Sequence, residues 1–316
     1  MAKPAASPVA PRAKAKPLID LRVYQRAIFR HKLRRLFMLW SRQKGKSHAL
    51  ASEALDRMMA TPGALVTFIS ASIVLGTEVL LKEAQLWAKF LAAYRMAAAA
   101  AGLKFESNVD GLDLDAVADV FEHSKLETRL WHDRTTCSRS RVIAPNPDTA
   151  VGWTAHIFGD EVGRWPNAQA VFEAVGPFMD SNPDLILRLA TTPPPDDKHY
   201  SFELFAPPQD EFEVNPKGNW YKSPSGIMVH RLDAWDAHAA GVPLYHPDTG
   251  QPVTPEEHRA TAPDKSAWDR NYALHFLAMG TAALSSASIQ RAMQAGHGFC
   301  VGADITEPVV AGEEAA

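Results

Sequence analysis

Three consecutive residues, Gly45, Lys46 and Ser47, have the chemistry needed to hold a chain of phosphates. A glycine lets the backbone approach an anion, a lysine supplies a mobile positive charge, and a serine hydroxyl can ligate Mg²⁺. The three residues follow an apolar run at 36–40 and open a helix-forming segment at 48–60. A strand, a loop and a helix amino terminus in this order predict a P-loop that binds ATP and Mg²⁺.

The predicted nucleotide-binding loop extends beyond this tripeptide. Trp40 stands five positions before Gly45, where the usual pattern has its first glycine. A glycine-lysine-serine tripeptide is common by chance, and the alternative is a basic loop that only resembles a P-loop. On the P-loop hypothesis, the residues that bind the nucleotide are Ser41, Arg42, Gln43, Lys44, Gly45, Lys46 and Ser47.

A pair of carboxylates, Asp160 and Glu161, follows a second apolar segment at 154–158. ATP hydrolysis needs one carboxylate near Mg²⁺ and a second carboxylate to activate water. We expect Asp160 to hold the metal through water, together with the hydroxyl of Ser47. Glu161 would be the general base. At the carboxyl end of a parallel strand the pair would lie beside the P-loop. The alternative, a helix cap or a solvated pair, is less favoured because the pair follows an apolar strand about a hundred residues after the P-loop.

Two further features fit the same site. Thr191 and Thr192 directly follow an apolar segment at 185–190. Their hydroxyls could sense the γ-phosphate and couple hydrolysis to movement. The alternative is a turn that leads into the following prolines. Gln25 precedes the P-loop strand, and its amide could both donate to and accept from an adenine edge. The alternative for Gln25 is an ordinary surface residue.

The elements that must position these residues alternate between strand and helix. Strands are predicted at 36–40, 64–70, 139–144, 154–158 and 185–190, and helices at 21–35 (capped by Asp20), 48–60, 76–101 and 168–179. Residues 103–127 have a mixed pattern that predicts no clear element. The alternation predicts an α/β fold with a mainly parallel sheet covered by helices on both faces and an irregular C-terminal linker subdomain. Together with the P-loop motif and the Asp160–Glu161 pair, it indicates the P-loop NTPase class (ASCE or RecA-like).

The pattern also suggests a division of the chain. The alternation stops at three prolines, 193–195, and a final helix or helix pair is predicted at 266–295. The predicted units are a disordered basic tail (1–17), a P-loop ATPase domain (18–205), a partly helical linker or lid subdomain (206–296), and a tail or the start of a further domain (297–316).

Charge is distributed unevenly along the 316 residues, although the net charge is only −3. Residues 1–46 contain 13 Lys and Arg and a single acid, whereas the remainder contains 20 bases and 35 acids. A basic region ahead of an acidic body suggests an anionic partner, and the alternative for 1–17 is a solvated tail. No signal-peptide pattern or membrane-spanning run is visible. The cysteines, Cys137 and Cys300, lack zinc-ligand spacing and fit a reducing cytoplasm.

These motifs, in this order, resemble the ATPase domain of phage terminase large subunits, in particular the Mu-like branch. The resemblance covers residues 20–205 and, more loosely, the chain to 296. It implies that the missing first glycine is normal and that Arg42 contacts the γ-phosphate and shares catalysis with Glu161. The residues that carry it are Tyr24-Gln25, the run from Trp40 to Ser47, Gly159-Asp160-Glu161 and Ala190-Thr191-Thr192, with Gly152-Trp153 as a less specific addition.

The resemblance implies a motor that couples ATP hydrolysis to translocation of double-stranded DNA into a capsid, in the cytoplasm of a bacterial host. The implied partners are double-stranded DNA, a portal protein and a small terminase subunit, with a homo-oligomeric ring when assembled and no membrane. The family's RNase H-like nuclease domain would begin near Asp304, so we interpret the chain as a motor without that domain and expect no nuclease activity. Alternatives are a helicase-like nucleic-acid-dependent ATPase and an inactive prophage remnant.

Overall fold

A computed structural model describes residues 20–100, 121–124, 126–150, 154–195, 198–209 and 211–276. Within these ranges a nine-stranded sheet has the order β3-β4-β5-β2-β6-β7-β1-β9-β8, and β10 and β11 form a separate antiparallel pair. The strands are β1 Arg35–Trp40, β2 Leu65–Ser70, β3 Phe121–His123, β4 Glu127–Trp131, β5 Cys137–Ile143, β6 His156–Asp160, β7 Leu187–Thr191, β8 Asn219–Lys222, β9 Met228–Leu232, β10 Leu244–Tyr245 and β11 Pro252–Val253.

The helices of the described ranges flank this sheet. They are α1 Val23–Ile28, α2 Lys46–Ala60, α3 Ile73–Ala100, α4 Pro147–Ala150, α5 Ala168–Val175, α6 Phe178–Ser181, α7 Ser201–Phe205, α8 Ala234–Ala239, α9 Pro255–Thr261 and α10 Lys265–Trp268. A 3₁₀ turn covers Val162–Arg164 and a π-helical turn covers Asp269–Ala273. None of the described helices combines the length and the apolar character needed to cross a bilayer.

The sheet is mainly parallel, as predicted. The neighbours from β5 through β2, β6, β7 and β1 to β9 all pair in parallel, while β3, β4 and β8 add antiparallel edges. Strand β7 lies between β1 and β6, so one strand separates the predicted P-loop strand from the strand that carries Asp160. The carboxyl ends of all three strands meet at one edge of the sheet, where ligands bind in folds of this kind.

Both faces of the sheet are buried at its central strands, which explains why β1 is a continuous apolar run. Leu36, Met38 and Trp40 belong to a core shared with α1, α2 and α3. Phe37 and Leu39 point to the other face, into a core shared with α5 and α7. The prediction of helices on both faces is therefore confirmed.

Three sequence predictions of helix bounds were wrong. The first helix covers Val23–Ile28, with Arg22 rather than Asp20 at its N-cap, and not 21–35. It ends early because the buried guanidinium of Arg188 binds the carbonyl oxygens of residues 31, 33 and 34, which draws that backbone away from a helical path. The helix predicted at 168–179 is divided into α5 and α6 at Pro177, which has no N–H to continue the helix. Helix α3 begins at Ile73, three residues before the predicted start.

The sheet also includes segments that the sequence did not assign to it. Strands β3 and β4 lie partly in the unassigned stretch 103–127, and β8 and β9 follow the prolines. Strand β9 pairs directly with β1, so the sheet runs across the predicted division at residue 205. That division into units stays a prediction.

Candidate nucleotide-binding site

The loop after β1 has the local geometry of a phosphate-binding loop. Its residues Gln43 and Gly45 have positive φ values of 57° and 83°, and α2 begins directly after it, at Lys46. The amino end of this 15-residue helix therefore faces the loop, where its dipole and free N–H groups attract an anion. The backbone N–H of Ser41 donates to Leu232 O at 2.8 Å, which fixes the start of the loop to β9.

Helix α1 supports the loop from outside. The hydroxyl of Tyr24 donates to Lys44 O at 2.9 Å, and the amide nitrogen of Gln25 donates to Gly45 O at 3.2 Å. The positive φ of Gly45 favours glycine here, and a Cβ added at this position would also lie 2.8 Å from that same nitrogen, so Gln25 would have to move.

Gln25 thus lies at the loop, as the sequence suggested, but both ends of its amide are used inside the protein. Its oxygen accepts the backbone N–H of Arg22 at 2.9 Å, and the side chain is buried. Adenine recognition by Gln25 remains a prediction, and it would require these hydrogen bonds to exchange.

The structure brings Ser47 and Asp160 into contact across the sheet edge. The hydroxyl of Ser47 donates to Asp160 Oδ2 at 2.6 Å, and the other carboxylate oxygen accepts the N–H of Glu161 at 3.0 Å. Asp160 is buried, and burial first, then the neighbouring Glu161, raises its pKa. A buried anionic oxygen beside a hydroxyl oxygen is the donor set that Mg²⁺ prefers, so these two residues fit that ion.

Lys46 lies between the loop and the carboxylates. Its ammonium group donates to Trp40 O at 3.1 Å and is 3.8 Å from Glu161 Oε1. Burial lowers the pKa of Lys46, while the nearby Glu161 and Asp160 oppose that shift. The amine is thus held by one carbonyl and one carboxylate, both of which a phosphate oxygen could replace.

Glu161 has an unusual backbone. Its φ is 53°, a left-handed conformation that costs a non-glycine residue free energy and is found disproportionately at functional sites. The strained turn directs the carboxylate towards Lys46 on one side and towards Arg164, at 4.0 Å, on the other. Its side chain is 24% exposed, so water can reach it.

Of the two predicted coupling residues, Thr191 is bonded to the turn that carries Glu161. Its hydroxyl accepts the N–H of Gly163 at 2.8 Å and donates to Thr192 O at 2.7 Å. A Cβ at Gly163 would lie 2.9 Å from each of these oxygens, so only glycine permits this approach. Thr192 contributes its carbonyl, and its hydroxyl makes no hydrogen bond within the described ranges.

The remaining loop residues differ in exposure. The Ser41 side chain is buried and its hydroxyl lacks a hydrogen bond in the described part of the chain. Arg42 is half-buried and close enough to Lys46 to help lower that residue's pKa, while Gln43 is exposed. Lys44 is 2% exposed, and burial first, then the charge of Arg22, lowers its pKa to about 8. Gly152, Trp153 and Asp304 lie outside the described residues.

Sequence reasoning missed a segment that packs against the loop. The N–H of Arg42 donates to Asn271 O at 3.0 Å, which fixes the π-helical turn to the loop. The sequence contains one local signal for this segment: Thr254 and Glu257 form a capping box, and Pro255 stands at the start of α9. That pattern predicts a helix, but it does not show where the helix docks.

Comparison with solved structures identifies the fold. The large terminase ATPase domain of Thermus phage P74-26 matches with a TM-score of 0.52 and 18% identity, over 80% of this chain and 93% of that domain. The large terminase of a second, thermophilic bacteriophage matches with a TM-score of 0.46 and 13% identity, over 78% of this chain and 49% of that protein. In its complex with ADP, the same terminase matches with a TM-score of 0.41 and 10% identity, over 77% of this chain and 48% of that protein.

No protein-family model and no curated protein matches this sequence. At 18% identity, the likeness to the P74-26 domain concerns the fold. The chain has the mixed α/β, P-loop NTPase-like fold of a phage large terminase ATPase domain.

Proposed function

We propose that this chain is the ATPase motor of a phage DNA-packaging terminase, coupling ATP hydrolysis to translocation of double-stranded DNA into a capsid. The observation that carries the proposal is the 2.6 Å contact between Ser47 of the loop and Asp160 of β6, with Lys46 and Glu161 immediately beside it. The terminase ATPase fold supports it. Trp40, in place of the usual first glycine, supports the Mu-like branch.

The phosphates of ATP would lie on the loop, held by its N–H groups and by the amino end of α2. Lys46 would exchange Trp40 O for a phosphate oxygen, because its ammonium is held there only by a carbonyl at 3.1 Å and by Glu161 at 3.8 Å. Ser47 and Asp160 would hold Mg²⁺, which when bound neutralises phosphate charge.

Glu161 would then act as the general base. Its carboxylate takes a proton from water as the oxygen of that water bonds to the γ-phosphorus, and the bond to the β–γ bridging oxygen breaks, giving ADP and phosphate. Arg42 would stabilise the charge on the γ-phosphate from within the loop. Thr191 would sense this change, because its hydroxyl is bonded to the turn that carries Glu161.

The partners belong to the same proposal. A motor of this kind would assemble as a homo-oligomeric ring with a portal protein and a small terminase subunit, in the cytoplasm of a bacterial host. It would grip DNA mainly through phosphates and with little sequence preference. Support comes from the concentration of basic residues in the first 46 positions.

Two variants test the ATPase. Glu161→Gln keeps the shape of the side chain but cannot accept a proton, so ATP turnover should fall by roughly 10²–10⁴-fold while ATP binding remains. Lys46→Ala should lose binding as well. Glu211→Gln, at an exposed position, is the matched control and should behave as the parent does. Equal turnover in Glu161→Gln and the parent would remove Glu161 from catalysis, and undiminished binding by Lys46→Ala would exclude the P-loop as the phosphate site.

A further inference from the structure

An aromatic cleft lies beside the P-loop, between α9 and the π-helical turn. Its volume is about 290 Å³, and its walls include His258, Trp268, Asn271 and Tyr272. The rings of Trp268 and Tyr272 stack with centroids 5.3 Å apart and planes 21° apart, and His258 meets Tyr272 at 5.2 Å. A small cleft with such a wall suits a flat ring system.

The polar atoms of the cleft offer both a donor and an acceptor. The indole N–H of Trp268 donates to His258 Nδ1 at 2.8 Å, so the neutral imidazole carries its proton on Nε2, as a donor. The amide nitrogen of Asn271 donates to Ala267 O at 2.8 Å, which leaves the amide oxygen as an acceptor. Neither His258 Nε2 nor the Tyr272 hydroxyl has a hydrogen bond in the described part of the chain. A purine presents the complementary pattern of ring acceptors and, in adenine, an amino donor.

The cleft is fixed to the loop rather than merely near it. The backbone carbonyl of Asn271 accepts the N–H of Arg42 at 3.0 Å, and the guanidinium of Arg231, on the neighbouring strand β9, donates to Ala273 O at 2.8 Å. Lys44 of the loop is close enough to His258 to help lower that residue's pKa, after burial, and this keeps the imidazole neutral near pH 7. A nucleotide whose phosphates lie on the loop would therefore find this cleft within its reach.

We propose that the aromatic cleft of His258, Trp268, Asn271 and Tyr272 binds the purine base of the nucleotide held by the P-loop. The inference rests on the proposed ATPase function and extends it. It assigns base recognition to the segment after β11, instead of to Gln25, whose amide is bound within the protein. Binding of the base would add a contact between this segment and the loop, beside the π-helical turn, a feature that is frequent at functional sites.

The test separates the base from the phosphates. Affinities for ATP and for inorganic tripolyphosphate are measured by calorimetry on the full chain, for the parent, His258→Ala, Tyr272→Leu and Gln25→Ala. Loss of stacking should weaken ATP binding by roughly ten-fold in His258→Ala and Tyr272→Leu, and leave tripolyphosphate binding unchanged because it has no base. Exposed residues of the same region provide matched controls, His238→Ala and Tyr245→Leu, which should match the parent for both ligands.

Several results would overturn the proposal. Equal weakening for ATP and tripolyphosphate would mean that the cleft only supports the loop, and unchanged ATP binding would mean that the base lies elsewhere. Selective loss of ATP binding in Gln25→Ala alone would place the base on α1. His258→Ala changes a half-buried side chain, so it decides the matter even if Tyr272→Leu fails to fold. Failure of the parent to bind either ligand would instead refute the P-loop function itself.

Discussion

The hydroxyl of Ser47 donates a 2.6 Å hydrogen bond to the carboxylate of Asp160, joining two residues 113 positions apart at the edge of the sheet. Parallel pairing makes this contact, because β7 holds β1 and β6 in register on its two sides. The same arrangement places Lys46 and Glu161 within 3.8 Å of each other. Lys46 and Ser47 therefore meet Asp160 and Glu161 at this edge, although the two pairs lie far apart in the sequence.

The first prediction concerns Asp160, where function and stability should respond in opposite directions. Asp160→Asn removes a buried charge whose pKa is raised by burial and by Glu161, so the nucleotide-free protein should unfold at a higher temperature. In the parent, Mg²⁺ should increase the affinity for ATP. In Asp160→Asn this increase should be smaller by roughly 10–100-fold, because the amide is a poorer partner for the metal and its water.

Thermal unfolding without nucleotide, and ATP titrations with Mg²⁺ and with EDTA, measure both effects. Asp148→Asn, at an exposed position on α4, controls for the general loss of one negative charge. A lower unfolding temperature together with unchanged metal dependence would contradict this account of Asp160.

The second prediction separates Thr191 from Thr192, which the sequence could not distinguish. Thr191→Val keeps the shape but leaves the N–H of Gly163 without its acceptor, at a cost of about 1–3 kcal/mol in the turn that carries Glu161. Turnover should fall by roughly ten-fold or more, because a small displacement of the base has a large effect on rate, while the affinity for ATP stays near that of the parent.

Thr191→Ser, which keeps the hydroxyl, should restore most of the turnover. Thr192→Val is the matched control, since the Thr192 hydroxyl makes no hydrogen bond in the described ranges. If Thr192→Val lowers turnover as strongly as Thr191→Val, the bond to Gly163 does not explain the effect.

The third prediction is a pH dependence of stability that comes from Glu83 of α3. This carboxyl is fully buried against β4, and it accepts the Thr128 hydroxyl at 2.8 Å. Burial raises its pKa from the ordinary 4.5 to about 8, so the folded chain keeps a proton that the unfolded chain has lost. Because unfolding then releases this proton, the free energy of unfolding should fall progressively as pH rises from about 4.5 to about 8.

Glu83→Gln removes the titration and should raise the free energy of unfolding near pH 7 by at most about 3 kcal/mol, with the gain vanishing near pH 4.5. Denaturant unfolding at a series of pH values measures it. Glu78→Gln, exposed on the same helix, should show no such trend. A gain that is the same at every pH would show that the effect is packing and not ionisation.

The elements that could be predicted from the sequence are those whose burial leaves a local pattern of apolar residues. Strands β1, β2, β6 and β7 could be predicted because both sheet faces are buried, which gives short, continuous apolar runs with polar ends. That the candidate site residues lie close together at those ends was predictable for the same reason: parallel strands bring their carboxyl ends to one edge.

Other features depend on contacts that no local pattern encodes. Arg188 interrupts an apolar strand, yet it is buried and forms a bidentate ion pair with Glu53 of α2, both contacts at 3.0 Å. The same guanidinium ends α1 early, through carbonyls about 155 residues distant. Strand β9 covers only five residues, and its parallel pairing with β1 joins both β9 and its antiparallel neighbour β8 to the sheet.

The last prediction concerns the basic residues near the amino terminus, which the sequence suggested as a DNA contact. Six of them lie at positions 22–35 and all six are exposed, but three are engaged within the protein: Arg22 with Tyr24, Arg30 with Asp56, and Arg34 with backbone carbonyls of residues 179, 182 and 185. The others make no side-chain hydrogen bond or ion pair in the described part of the chain; they are Arg26, Lys32 and Arg35.

Replacing Arg26, Lys32 and Arg35 together by alanine should therefore weaken binding to duplex DNA with little effect on the fold. Phosphate contacts release counterions, so if all three bind phosphates the slope of log affinity against log salt should fall by about 2–3. The measurement is a salt titration of duplex binding for the parent, the triple variant, and a chain lacking residues 1–17. A second triple variant, Lys217→Ala, Lys222→Ala and Arg134→Ala, removes the same charge from exposed positions elsewhere and should leave the slope near that of the parent. A slope that falls only in the chain lacking residues 1–17 would place the contact in that segment, and absence of binding by the parent at low salt would refute the DNA contact altogether.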